Sequence, residues 1–386
     1  MMRSRDSLSG LIFALCLTAS LPAGAVSGQA SRTSYAMTSE LWQGEKFTFE
    51  GAEGFPNGRM TVLDGFATLK DAVFSEGTVE FDMKPLAFAD TGIQIHRQDA
   101  DTAEFIYLRA DPDCPAANDC VQYAPITHGR MQWNIYPQYQ SSAPISEKGW
   151  NHLRIVVTGE RLRLFVNREN EPSIDVPRLQ GLAGTGGIAV KGPAVFANLI
   201  IRPGDRGEPT VPPLQGDQHG LVRHWLLAPP TLAPADRAPT LADAPSSGWR
   251  PLETEANGMA NISRAMPHDA TPALTLAWLK LTINAATAGE RVMDLGFSTR
   301  AWLFLNGRQV YAGENLYYPE GKRLTPEGRF APDNAKVKLV LHKGTNELVL
   351  AIDNAWRTST GPIKPTPYGW AGMARFEQPE GLALQP

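Results

Sequence analysis

The chain is predicted to be all-β, folded as two β-sandwiches, on three observations. Between Gly149 and Asn167, Leu153, Ile155 and Val157 alternate with His152, Arg154 and Val156; after Thr158-Gly159-Glu160-Arg161 the alternation resumes with Leu162, Leu164 and Val166. That period of two belongs to a strand pair with one buried face, joined by a tight polar turn. A second such signature, Ala301 to Tyr311, turns on Asn306-Gly307, the dipeptide preferred in two-residue hairpins, and Val337 to Asn354 alternates in the same way. Finally, 35 Gly and 31 Pro in 386 residues suit many strands and turns, and nothing suggests a long helical bundle. The length fits about two domains.

At the N-terminus, Arg3 and Arg5 precede a mostly apolar run from Leu8 to Leu21. Ala23-Gly24-Ala25 then offers a small-x-small cleavage site, with Gly28-Gln29-Ala30 as an alternative. This is the pattern of an export signal over residues 1–25. The run is too short to span a bilayer comfortably, so no stable membrane insertion is expected. Cys16 follows Leu15, where a lipoprotein signal would have a small residue. A soluble periplasmic or secreted protein beginning at Val26 is the expectation. Removing Arg3, Arg5 and Asp6 with the signal takes the formal charge from −4 to −5, and no basic block follows, which argues against a nucleic-acid partner. Cys114 and Cys120 are then the remaining cysteines. In an oxidising compartment they are expected to form a disulfide; they are too few for a metal site and wrongly spaced for a redox pair.

Ser31 to Glu40 reads as a lead-in to a first domain over residues 40–203. Leu41 to Leu69 supplies short strands with turns at Asn57-Gly58 and Asp64-Gly65. From Gly77 to Pro85, Val79, Phe81 and Met83 alternate with Glu80 and Asp82, which puts the two carboxylates on one face about 7 Å apart. Strands at 92–97, 104–109, 121–126 and 131–137 follow. Ile93 and Ile95 point into the sandwich and leave Gln94 and His96 on the other face; Ile106 and Leu108 do the same for Phe105, Tyr107 and Arg109. Gln122, Tyr123, Gln132, Trp133, Asn134, Tyr136 and Tyr139 come from the next pair, with their faces left open. Residues 186–190 and 195–201 close the sheet.

The Gly-Trp-Asn-His-Leu-Arg-Ile strand, its polar turn and the Leu-Phe-Val-Asn strand resemble the back-sheet hairpin of concanavalin A-like lectin/glucanase domains, and Phe196 to Arg202 resembles their last strand. Laminin G-like modules and the 3-keto-disaccharide hydrolase-like family belong to that superfamily. The resemblance implies a sandwich with ligand on its concave sheet. Family-sixteen glucanases of the superfamily carry catalysis on a Glu-x-Asp-x-x-Glu strand, but here Pro85 occupies the third acidic position. That chemistry needs two carboxylates flanking the scissile bond, so Glu80 and Asp82 are expected to be solvated strand-face residues.

Aromatic rings stack on the apolar face of a pyranose, while planar polar side chains bond its hydroxyls. The expected ligand-binding set on this sheet is therefore Gln94, His96, Tyr107, Arg109, Gln122, Trp133 and Tyr136. Such residues can equally cover a sheet against which a loop or second domain packs. Were the face catalytic, His96, Glu104 and Arg109 would be the candidates, His96 for its near-neutral pKa, yet no Ser or Cys nucleophile stands beside them in sequence. Asp99, Asp101, Asp111, Asp113 and Asp119 gather in loops. Carboxylates suit calcium, but their spacing matches no dedicated calcium loop, so solvated turns are expected and no metal ligand is assigned.

Residues 204–220, rich in Pro, Gly and charge, read as a linker, and 229–247 as an extended surface crossing. Strands follow at 221–227, 274–284 and 291–297. With the Leu-Asn-Gly hairpin and a Lys-Gly-x-Asn-x-Leu pair (Lys343 to Leu348), residues 221–380 resemble galactose-binding-domain-like jelly rolls. The resemblance implies ligand contacts at loop tips, where Tyr317, Tyr318, Trp356, Arg357, Tyr368 and Trp370 lie; Trp370 could instead cap the core. Of these, Tyr317, Trp356, Tyr368 and Trp370 form the secondary ligand-binding set. The function expected is recognition of an oligo- or polysaccharide on the first domain. A glycoside-processing hydrolase using the same face, or an envelope module with a protein partner, are the alternatives.

Overall fold

The structure, a computed structural model, describes residues 32–114, 116–168, 170–205, 219–266 and 273–386. The expected export signal and most of the expected linker lie outside the described residues. Strands dominate, and the one α-helix among the described residues is a single turn, Ile262–Ala265.

In the N-terminal half, one continuous antiparallel sheet curls back on itself. Its order runs Ile174–Val176, Arg161–Val166, Asn151–Thr158, Gly77–Pro85, Ala194–Pro203, Phe55–Phe74, Gly186–Lys191, Thr91–Arg97, Ala103–Leu108 and Val121–Thr127, ending at Arg130–Met131. The 20-residue strand Phe55–Phe74 makes the fold-over possible. Its first part pairs with Ala194–Pro203 (Val62 opposite Ala194) and its last part with Gly186–Lys191 (Phe66 opposite Lys191), so one strand serves both layers. The expected hairpin is present with Leu153 opposite Val166, Ile155 opposite Leu164 and Val157 opposite Leu162, and Gly159 takes the positive φ of 57° its turn requires. These apolar residues meet Ile93, Ile95, Ile106, Leu108 and Tyr123 of the other layer in one core.

In the C-terminal half a larger sheet, ordered Arg250–Glu253, His224–Leu227, Thr275–Ala285, Gly344–Asp353, Thr299–Leu305 and Arg308–Asn315, packs on a four-stranded one of Ala260–Asn261, Ala371–Phe376, Gly289–Phe297 and Ala335–Leu341. Trp225, Leu279, Leu350, Phe297, Leu339 and Phe376 fill the space between them. Asn306 and Gly307 both have positive φ, as the tight turn demands. The outer face of the large sheet also carries apolar residues, Trp278, Phe304 and Val349. Leu241 and Ala244 of the Pro/Ala-rich crossing, with Trp249 just after it, cover them.

A third apolar cluster joins the halves: Ile135 and Tyr136 pack with Leu221, Met259, Phe330 and Met373. Asn134 donates from Nδ2 to the Gly369 carbonyl at 2.9 Å and accepts the Gly369 N–H at Oδ1 at 2.7 Å, closing a two-bond clamp across this seam. A Cβ on residue 369 would lie 2.7 Å from Ile135 and 2.8 Å from Asn134, so the close approach needs glycine.

Candidate functional site

The strand alternation places Gln94 and Tyr107 on the face foreseen, with Gln122 opposite Tyr107, but that face is covered, and His96, at φ +50°, leaves the alternation. Phe105 and Tyr107 stack at 4.8 Å, the Tyr107 hydroxyl donates to Gln122 Oε1 at 2.6 Å, and Phe105, Tyr107 and Ala124 form a small buried cluster beneath Met131 and Trp133. The Tyr368 loop closes over them, with Met131 N–H donating to the Pro367 carbonyl. Gln94, His96, Tyr107, Gln122 and Tyr136 are each at most 1% exposed, which corrects the expectation of an open binding surface at these positions. His96 donates from Nε2 to the Ser75 carbonyl at 2.7 Å and stacks on Phe74; burial holds its pKa below the usual histidine range. Tyr136 is a seam residue, its hydroxyl donating to Glu255 Oε1 at 2.6 Å.

The catalytic candidates do not converge. His96, at φ +50°, breaks the alternation: it stacks on the core residue Phe74 at 5.9 Å, and Arg97 takes the face of Gln94 instead, while Glu104 pairs in register with Ile95 and so faces the core. Glu104 Oε2 accepts from Tyr123 at 2.6 Å and its Oε1 from the Gly181 N–H at 2.9 Å; burial pushes its pKa up to about 7. Arg109 is tied to Asp119 at 2.7 Å and to Asp90 at 3.6 Å, with its guanidinium 4.8 Å from the exposed Phe88 ring. Glu80 and Asp82 are half-buried strand-face residues. Burial alone would raise both, but Arg202 on Glu80, and His152 with Asn198 on Asp82, outweigh it and hold both carboxyls low.

The expected loop acids serve as local anchors. Asp99 and Asp111 accept the N–H groups of Asp101 and Asp113, while Asp119 holds Arg109. Among the described residues no three His, Cys, Asp or Glu side chains gather where they could hold a metal ion. Cys114 and Cys120 are disulfide-bonded, with Cα atoms 6.0 Å apart. No helix among the described residues is long and apolar enough to cross a membrane.

The structure brings together residues that the sequence suggested separately. Trp133, from the turn after Arg130–Met131, meets Tyr317 at 5.1 Å and Tyr368 at 5.5 Å; Trp356 meets Tyr368 at 4.6 Å and lies nearly parallel to Tyr317 at 6.1 Å. These four rings form a closed frame, half-exposed, drawn from both halves of the chain. Tyr318 packs edge-on against Tyr317 at 4.7 Å. Arg323 lies over Tyr317 and Tyr318, and Arg329 over Trp133 and Tyr317, all within 6 Å of the ring centres. Gly328, at φ +74°, passes so close to Tyr317 that a Cβ would sit 2.8 Å from its Cα. Trp356 is fixed by its pairing with Lys364–Pro365. Trp370, by contrast, is 1% exposed in the second core and does not join the frame. Arg323 and Arg329 escaped the sequence reading, because cations in a Gly/Pro-rich loop carry no periodic signal.

No family model matches the chain, and neither does any curated protein. Among solved structures, the carbohydrate-binding module CBM66 from Bacillus subtilis is similar at 16% identity, covering 42% of this chain and 94% of that one, with a TM-score of 0.32. Domain 4 of AbnA, a GH43 extracellular arabinanase from Geobacillus stearothermophilus, in complex with arabinotriose, aligns at 14% identity over 45% of this chain and 82% of that one, with a TM-score of 0.28. Domains LG4-5 of the mouse laminin α1 chain align at 12% identity over 89% and 92%, with a TM-score of 0.27. At these scores the fold assignment rests on the registers described above.

Proposed function

We propose that this protein recognises carbohydrate through the frame of Trp133, Tyr317, Trp356 and Tyr368, outside the cytoplasm. The observation that carries the reading is the frame itself: large rings left half-exposed where two sandwiches meet, held by loops. Ring faces offer the apolar side of a sugar a large contact area at low conformational cost. The adjacent Arg323 and Arg329 supply donors for its hydroxyls, and loops on a rigid scaffold are where binding residues concentrate. The Cys114–Cys120 disulfide suits an oxidising compartment.

A glycan array probed with the full chain and with Trp133→Ala and Trp356→Ala tests this. Selective binding to a neutral glycan, lost in both variants, is the expected result. Silence across a broad array, or binding indifferent to both substitutions, would overturn the reading; a protein captured instead would favour an envelope interaction module.

A further inference from the structure

The covered sheet face is not covered everywhere. Three strands away from Tyr107, a groove of about 480 Å³ opens around Phe66, bordered by Gln43, Thr68 and Arg97. The ladder explains its composition. Phe66 lies opposite Lys191 and Thr68 opposite Ala189, so Phe66, Thr68 and Lys191 emerge on one face, beside the already buried Gln94 and Phe105. Phe66 remains half-exposed.

Two cations flank this ring. The Arg97 guanidinium carbon and Lys191 Nζ each lie 6.0 Å from the Phe66 centroid, the outer limit of a cation–π contact, and Lys191 Nζ lies 5.4 Å from Phe105. Arg97 is held in place by its Nε donating to Gln94 Oε1 at 2.8 Å. Neither cation has a carboxylate within ion-pair distance among the described residues. The nearest acid of the groove, Asp64, is bonded to Lys46 at 2.7 Å, and Glu45 stands exposed on the rim. Asp99 acts on Arg97 and Asp64 on Lys191 only from beyond ion-pair distance, and an aromatic platform with two cations so placed suits a ligand that brings its own anion.

We propose that this groove is a second saccharide subsite, selective for a sugar that carries a carboxylate or sulfate group. The pyranose lies on Phe66, the anionic group sits between Arg97 and Lys191, and Gln43 and Thr68 bond its hydroxyls. The choice of a sugar rests on the carbohydrate reading above; the choice of an anionic one rests on the groove.

Titration of the full chain with galacturonate oligomers, chondroitin sulfate and a neutral galactan, followed by calorimetry, tests it. Acidic glycans are expected to bind, with affinity falling roughly tenfold or more in Lys191→Gln and in Arg97→Gln, since each removes a charge-assisted bond. Affinity should also fall with added NaCl. The galacturonate and sulfate arms separate the two anions. Lys191→Gln changes a half-buried ammonium at the end of its strand and keeps the test sound if Arg97→Gln unfolds. Neutral glycan binding that depends on Trp356, with no binding of either acidic glycan, would overturn this subsite alone. Acidic binding indifferent to Lys191→Gln would overturn it too, and absence of all binding would overturn both proposals.

Discussion

Two sets of aromatic residues meet at the seam and behave oppositely. Phe105, Tyr107, Tyr123 and Tyr136 come from strands or the turn beside them and are buried; Trp133, Tyr317 and Tyr368 come from connections and Trp356 from the two-residue strand Ala355–Trp356, and these four stay half-buried. The first set has every hydroxyl satisfied by a fixed partner, as with Tyr107 on Gln122 and Tyr123 on Glu104. The second set packs edge to face, with Trp356 parallel to Tyr317, and keeps part of its surface for solvent. A side chain on the expected face of a sheet is therefore not yet a binding residue; what lies on top of that face decides.

The comparison can be broken by substitution. Tyr107→Ala empties a fully buried site and should cost about 3–5 kcal/mol of stability, read by denaturant unfolding. Trp356→Ala, at a half-buried position in a two-residue strand, should cost about 1 kcal/mol or less while removing glycan binding. Equal losses of stability would mean that the frame is core after all.

The seam also holds buried acid. Glu104 is buried and Glu255 half-buried beside Arg264, which donates to the Gln180 carbonyl across the seam and lies 3.9 Å from Glu255. Burial raises both carboxyls, Glu104 to about 7. In the folded chain Glu104 keeps its proton up to about pH 7, whereas unfolded it releases it near 4.5. Between those values the folded state binds more protons, so stability falls as pH rises through this window and levels off above it. The loss amounts to roughly 3 kcal/mol at most for Glu104. Thermal unfolding from pH 5 to pH 8 checks the direction, and Glu104→Gln should flatten much of the slope. A stability that climbs with pH across that range would contradict the assignment.

A smaller effect is expected at the clamp. Gly369→Ala drives a methyl into Ile135 and Asn134, and should cost about 1–3 kcal/mol by overpacking. Hydrogen exchange should then rise at Gly369 and Phe330, whose N–H groups donate to Asn134, more than at Ile155 in the hairpin core.

Much of the fold was legible because its signals are local. The alternation of Leu153 to Val166 and the Asn306-Gly307 turn appear in the structure in the register they imply. The facing of Gln94, Phe105 and Tyr107 was legible as well. Their burial was not, because the residues that cover them, Met131, Trp133 and the Tyr368 loop, come from connections far apart in sequence whose path no period encodes. The same reason hid the joining of Trp133 to Tyr317, Trp356 and Tyr368, and the pairing of Arg97 with Lys191 about Phe66. Glu104 was misplaced among the candidates of the outer face, although alternation with Phe105 gives residue 104 the face of Ile106, where the structure has it.

The most direct test of a single site built from both halves is a double-mutant cycle. Affinity for a neutral glycan from the array would be measured for the full chain, Trp133→Ala, Trp356→Ala and the double variant. One shared frame predicts non-additive losses, with a coupling energy of roughly 0.5–3 kcal/mol. Losses that simply add would contradict it, and would return Trp133 and Trp356 to two independent surfaces.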